Sequence, residues 1–246
     1  MSLCKRVIST ITAAALTAAS FGAAAQAAGG QLSLLTWEGY ADPSFIKKFE
    51  ETSQCKVSST YVGSNDDFAP KLAAGGAVYD IIVPSIDTIG LMRLSGFAEP
   101  IDTSKIAGIG GVFEKFSKSS EVFVEGKTWS VPLVWGTISI IYRTDKVEGT
   151  PNSISALFDP KYKGRVSMWD DKSSLYWAAR LLGFSNVYDL SDEQLEKVKA
   201  KLIEQKPLIR KYWATAGELA DLLTNEEVYV SNTWTGNQIG MVAKTG

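Results

Sequence analysis

Four chain-distant segments carry aromatic rings or carboxylates at the ends of apolar runs: Trp37, Glu38 and Tyr40; Ser85 and Asp87; Asp170 and Asp171; Trp234 and Asn237. Side chains of these types can line a binding cleft, and an acidic pair can also support glycoside hydrolysis. An inverting pair needs carboxyl groups about 6.5–9.5 Å apart and one raised pKa, and no spacing here selects such a pair. Each group has a plain structural alternative. Trp37 and Trp234 serve equally as packing, Asp170 and Asp171 as N-caps of the following helix, and Glu38 as a solvated turn residue. The case for a site rests on recurrence.

Composition narrows the chemistry further. The 246-residue chain has no histidine, which removes a Ser-His-Asp triad, a papain-like Cys-His pair and a conventional zinc site. Carboxylate chemistry survives that test.

The positioning elements alternate. Gln31 to Tyr40 is an apolar strand ending at Trp37, Glu38 and Tyr40, and Val78 to Ser85 repeats the plan before Asp87. Both runs are too continuously apolar for a half-exposed strand and suit the buried centre of a parallel sheet. Between them come a helix over Pro43 to Thr52 with a Phe45, Ile46, Phe49 stripe, a strand over Lys56 to Tyr61, the turn at Gly63 to Asp66, and a helix near Asp67 to Ala74. A helix over Thr88 to Ser95 follows. This β-α-β-α-β order implies a doubly wound parallel sheet, whose ligands sit at the carboxyl ends of the strands.

Trp129 to Tyr142 reads as long and strand-like, broken at Pro132 and Gly136, and suits a crossing between two domains. Beyond it come a turn and short helix over Pro151 to Tyr162, a strand over Arg165 to Trp169 and a helix over Leu175 to Gly183. Ser191 to Glu204 forms a helix with Ser191 as N-cap and Gln194 at the capping-box position. A helix over Ala216 to Leu223 precedes a last strand, Val228 to Asn232, which runs into Trp234 and Asn237.

Met1 to Ala27 reads as a secretory signal peptide: Lys5 and Arg6, an apolar stretch over Val7 to Ala24, then Ala25-Gln26-Ala27 as the cleavage site. A membrane anchor is the weaker reading, because the segment is rich in Ala, Ser and Thr. After cleavage Cys55 is the one cysteine left, so no internal disulfide is expected, and it reads as a small hydrophobe. Removing Lys5 and Arg6 takes the basic count from 25 to 23 against 27 acids, a net charge of −4. That balance gives no basic face for nucleic acid.

The motifs Leu34-Leu35-Thr36-Trp37-Glu38-Gly39-Tyr40, Tyr79 to Ser85, Val131 to Gly136, Pro160 to Gly164 and Asn232 to Gly236 together resemble the periplasmic polyamine-binding proteins of ABC importers, spermidine/putrescine type. The resemblance implies an α/β, two-lobed periplasmic binding protein fold, type II-like, with lobes over 28–138 and 139–246. Members of the family continue beyond the last residue here. The resemblance therefore implies truncation at the C-terminus, an unpaired edge in the first sheet, and Val131 to Tyr142 as the one covalent link between lobes.

The same resemblance implies a receptor, not an enzyme, that captures a small organic amine such as putrescine or spermidine and delivers it to an inner-membrane ABC permease. It implies a periplasmic monomer with no cofactor and no metal. Trp37, Tyr40, Ser85 and Trp234 match ligand-site positions of the family, and Asp171 matches an acidic one. Four positions depart: Ser174 replaces a cleft glutamate, Asn237 an aspartate of some members, Asp87 an aromatic or small residue, and Glu38 a small hydroxyl residue. An ammonium over tryptophan contributes about 0.5–2 kcal/mol, whereas a buried unpaired charge costs roughly 3–5 kcal/mol. Losing a glutamate at Ser174 therefore weakens one end, while Glu38 and Asp87 offer replacements. A zwitterionic, amino-acid-like ligand and a carboxylate-dependent hydrolase are the alternatives.

Overall fold

The computed structural model describes residues 30–75 and 78–245, with the backbone alone for 243–245. The leader read over Met1 to Ala27 lies outside the described residues. The first strand, β1 (Gln31–Trp37), buries Leu34, Leu35 and Thr36. Helix α1 (Pro43–Ser53) starts where expected: Pro43 opens it and Asp42 accepts the Ser44 N–H at 2.8 Å. Its stripe is not core, however. Phe45 and Phe49 remain 50% and 43% exposed, and no residue of α1 is fully buried.

β2 (Lys56–Val62) pairs parallel with β1 along its length. The next turn is a 3₁₀ segment, Asn65–Asp67, that leads into the short α2 (Phe68–Ala73). β3 is only Ile81–Ile82, paired parallel with Leu34 and Leu35. The sheet order is β2-β1-β3. This corrects the expectation for Val78 to Ser85. β1 is the centre and β3 an edge, with Val78 86% and Ile81 46% exposed. The ladder does reach slightly further, through Asp80 N–H to Ser33 O and Val83 N–H to Leu35 O, both 2.9 Å. Helix α3 (Ile86–Leu94) follows, and Leu35, Val62, Phe68 and Met92 form the core of this first lobe.

A short helix α4 (Glu114–Ser117) and a hairpin of β4 (Phe123–Val124) and β5 (Lys127–Thr128) come next. Glu125 and Gly126, at φ 53° and 76°, make its two-residue turn, since that kind of turn requires positive φ. The long strand expected over Trp129 to Tyr142 shrinks to β6 (Ile138–Tyr142). Residues before it run without regular structure, and Leu133, Val134 and Trp135 stay 63–69% exposed. Pro132 has no N–H to give a ladder, which explains the break.

The second sheet contains β6, β7 (Val166–Trp169), β8 (Ile209–Trp213) and β9 (Val230–Trp234) in the order β6-β9-β7-β8. β6 is antiparallel to β9 and the other pairs are parallel. The expected last strand is displaced two residues, so Trp234 ends it. β8 was not expected at all. The helices are α5 (Ser173–Leu181), α6 (Asp192–Gln205), α7 (Ala216–Thr224) and α8 (Thr235–Thr245). The capping box of α6 is present on both sides, between Ser191 and Gln194. Among the described residues no helix is long and apolar enough to cross a membrane.

Candidate functional site

Trp169 ends β7, and its burial decides much of what surrounds it. Its backbone N–H goes to Asn232 Oδ1 at 2.8 Å, and its indole N–H crosses to Gly63 O at 2.9 Å in the first lobe. The ring stacks on Trp213 (5.9 Å) and meets the edges of Trp234 (4.7 Å) and Trp37 (6.0 Å). Trp37 in turn packs on Phe68 at 5.6 Å and donates its indole N–H to Val83 O at 2.7 Å. The indole of Trp213 donates to Ser231 Oγ. A continuous aromatic run therefore joins the two cores. With three of its four indole donors used internally, it presents walls rather than hydrogen bonds.

Two residues past that strand end, Asp171 is 6% exposed. One oxygen accepts the Ser173 N–H at 2.8 Å and so caps α5. The other accepts Asn65 N–H at 2.9 Å and the Asn65 amide at 3.3 Å. Asn65 Oδ1 then accepts the Ser85 N–H at 3.0 Å, locating the first turn of α3. Both readings of Asp171 therefore hold geometrically: it caps a helix and it faces the other lobe. Asp170 is exposed, and its N–H pairs with Trp213 O.

Asp87 sits in the first turn of α3 with its side chain 13% exposed. Its Oδ2 accepts the Tyr176 hydroxyl at 2.6 Å and lies 3.3 Å from Lys172 Nζ. Burial and that hydrogen bond hold the Tyr176 hydroxyl far above the ordinary tyrosine range, so it stays a donor. Glu38 is exposed; Tyr40 is 40% exposed, and burial raises its hydroxyl pKa. Asn237, in the first turn of α8, has a buried amide nitrogen without a partner, and the buried Ser173 hydroxyl is likewise unpartnered. Ser174 donates its hydroxyl to Trp169 O at 2.9 Å.

These residues face a cleft of about 2230 Å³ between the lobes. Trp37, Glu38, Tyr40, Ser85, Asp87, Asp171, Trp234 and Asn237 all line it. Ligand pockets are usually about 300–1,000 Å³, so lining a space this wide does not by itself single out contacts. Its electrostatic character is clearer. Among the described residues the lining carboxylates are Glu38, Asp80, Asp87, Glu99 and Asp171, of which Asp87 is already paired with Lys172; Arg180 is the one lining cation, and its guanidinium is held by Ser185 O at 3.1 Å. Among the described residues no cluster of His, Cys, Asp and Glu could hold a metal.

Sequence reasoning passed over Asn65, Trp169, Lys172 and Tyr176. Trp169 was signalled by its place at a strand end directly before Asp170. The others owe their roles to partners some 84–106 residues away, which no local pattern reveals.

Comparison with known proteins agrees with this architecture. The chain is 28% identical over 221 residues to the putrescine/cadaverine-binding protein of Pseudomonas aeruginosa, covering 87% of this chain and 60% of that protein. It is 26% identical over 248 residues to the putrescine-binding periplasmic protein PotF of Escherichia coli, covering 96% and 66%. The chain thus spans less than two thirds of the length of these relatives. Among solved structures, PotD of Streptococcus pneumoniae, a spermidine/putrescine ABC transporter substrate-binding protein, superposes with a TM-score of 0.66 at 28% identity, over 88% of this chain and 66% of that one. The Tp0655 (TpPotD) lipoprotein of Treponema pallidum gives 0.73 at 25% identity, over 86% and 66%. These neighbours establish the periplasmic binding protein fold. The bacterial extracellular solute-binding protein profile matches residues 44–246, and the chain belongs to that family.

Proposed function

We propose that this chain captures a small organic amine, best a polyamine such as putrescine or spermidine, between its lobes. It then hands the amine to an inner-membrane ABC permease as a periplasmic, monomeric receptor, with lobes divided near residue 138. The observation that carries the reading is the cleft's charge: four lining carboxylates besides the Asp87 that Lys172 pairs, against one internally held arginine, beside the rings of Trp37 and Trp234. A cation gains from both, through pairing with carboxylate and through the ring faces. The names of the relatives, putrescine/cadaverine-binding and putrescine-binding, point to the same class. The family is one of solute-binding receptors rather than enzymes, so the hydrolase alternative falls.

Within the cleft we assign ring contacts to Trp37, Tyr40 and Trp234, and ammonium pairing to Asp171, supported by Glu38 and by the Asp87 oxygen that Lys172 and Tyr176 leave open. Ser85 and Asn237 supply polar contacts. Uncharged side chains at 174 and 237 keep a zwitterionic amine as the second reading.

The test is a thermal-shift and calorimetric panel of putrescine, spermidine, lysine, choline and glucose. A ligand at a hundredfold excess over Kd stabilises by about 2.7 kcal/mol. Putrescine or spermidine should give the largest shift. A shift with lysine alone would transfer the assignment to zwitterions, and a response to glucose alone would end it.

A further inference from the structure

We propose that Lys172 is a positioning residue that clasps the two lobes, favouring the arrangement in which α3 and the start of α5 touch. Lys172 lies at the entrance to α5 in the second lobe. Its ammonium reaches into the first lobe, 2.6 Å from Thr88 Oγ1 and 3.3 Å from Asp87 Oδ2. Thr88 is 1% exposed, and the Lys172 and Asp87 side chains are 23% and 13% exposed. This pair is therefore shielded from water far better than a surface ion pair, whose contribution is usually small. The Tyr176 hydroxyl, also from α5, closes on the same Asp87 oxygen at 2.6 Å. The other oxygen of Asp87 receives no hydrogen bond from the described residues.

Two helix N-termini meet here. Asp87 lies in the first turn of α3, and Asp171 caps α5. Both ends carry partial positive charge, so closing the lobes without acids between them is unfavourable. Asp87 and Asp171 supply that negative charge, and Lys172 binds one of them from across the gap. The neighbouring contacts between lobes, Trp169 to Gly63, Asn65 to Asp171 and the Lys172 backbone N–H to Asp66, come from donors with no net charge. The Lys172 ammonium is thus the group that brings a positive charge across, paired directly with Asp87 and attracted also by Asp66.

The consequence for capture follows from population arithmetic. Apparent affinity is the intrinsic affinity scaled by the fraction of chain already in the binding-competent form. A clasp that favours the shut form raises that fraction without touching the ligand. The binding half of this argument rests on the amine-receptor reading; the clasp itself does not.

The experiment compares the parent chain with Lys172→Met, which keeps length but loses charge, and Lys172→Arg, which keeps charge. Small-angle scattering without ligand should show a larger radius of gyration for Lys172→Met, and parental values for Lys172→Arg. The putrescine Kd should rise about three- to tenfold in Lys172→Met and hold in Lys172→Arg. Equal radii for parent and Lys172→Met would overturn the clasp. Tighter putrescine binding by Lys172→Met would also overturn it, because Lys172 would then be competing with ligand for Asp87. If no variant binds putrescine while the radii still differ, the clasp stands and the amine reading fails.

Discussion

Asp171 and Asn65, 106 residues apart in the chain, meet across the lobes with one carboxylate oxygen accepting both the backbone and the side-chain N–H of Asn65. The same carboxylate caps α5, so a single acidic group fixes a helix, a turn of the opposite lobe and, through Asn65, the start of α3. A position this heavily used resists substitution for two separable reasons, charge and geometry.

Asp171→Asn should therefore cost both binding and stability. Hydrogen bonds to a charged group contribute about 1.5–3 kcal/mol, and the substitution removes the charge while turning one acceptor into a donor facing Asn65. The expected result is at least about a tenfold loss of putrescine affinity, about 1.4 kcal/mol, with a lower Tm. Asp170→Asn, on an exposed side chain, should stay within about 0.5 kcal/mol. Calorimetry giving the reverse order would assign the ligand contact to Asp170.

Gly63 offers a purely steric test. A Cβ there would stand 3.1 Å from Ala214 O, a backbone atom of the opposite lobe, while Gly63 O holds the Trp169 indole at 2.9 Å. Gly63→Ala should push the lobes apart by a few tenths of an ångström, weaken ligand binding and add about 1–3 kcal/mol of strain to the shut form. Unchanged putrescine affinity would mean that the lobes bind without closing at this point.

Local chemistry made much of this legible in advance, and partners distant in the chain hid the rest. The α6 capping box and the Asp42-Pro43 start of α1 need only neighbours within four residues. β8 escaped notice because Arg210 and Lys211 interrupt its apolar pattern; it is the edge strand of the second sheet, where charge is tolerated. Val78 to Ser85 misled in the opposite sense, its apolar residues suggesting a sheet centre where the fold places an edge. In the candidate site the strand-end residues Trp37, Asp171 and Trp234 stood out as types at suggestive places. The contacts that unite them, Asn65 to Asp171 and Lys172 to Asp87, depend on how two lobes meet.

Trp234 and Trp213 separate a wall from a core. Their rings lie 5.0 Å apart, but Trp213 is fully buried whereas Trp234 is partly exposed and lines the cleft. Trp213→Ala should lose about 3–5 kcal/mol of stability. Trp234→Leu should keep most of the packing yet forgo about 0.5–2 kcal/mol of cation–ring attraction, so its putrescine affinity should fall by more than its Tm implies. Parental affinity together with a large drop in Tm would return Trp234 to the core.

Glu218 gives the fold a pH dependence with a definite sign. Its carboxylate accepts the Ala214 N–H at 2.7 Å and pairs with Lys211. The Ala214 hydrogen bond, then Lys211, holds its pKa below the ordinary value of 4.5. A carboxyl group with a lower pKa folded than unfolded stabilises the fold above its unfolded value, and loses that contribution as pH falls through the folded one. The contribution is thus present at pH 7 and disappears from about pH 4.5 downward. Glu218→Gln retains an acceptor for Ala214 but neither the charge nor the titration. With the side chain 25% exposed, the loss at pH 7 should be about 1 kcal/mol, or about 2–4 °C in Tm for a chain of this size. The gap between parent and Glu218→Gln should then narrow steadily in unfolding scans below pH 4.5. A gap that stays constant from pH 7 to pH 3.5 would show that the charge of Glu218 is not the source of its contribution.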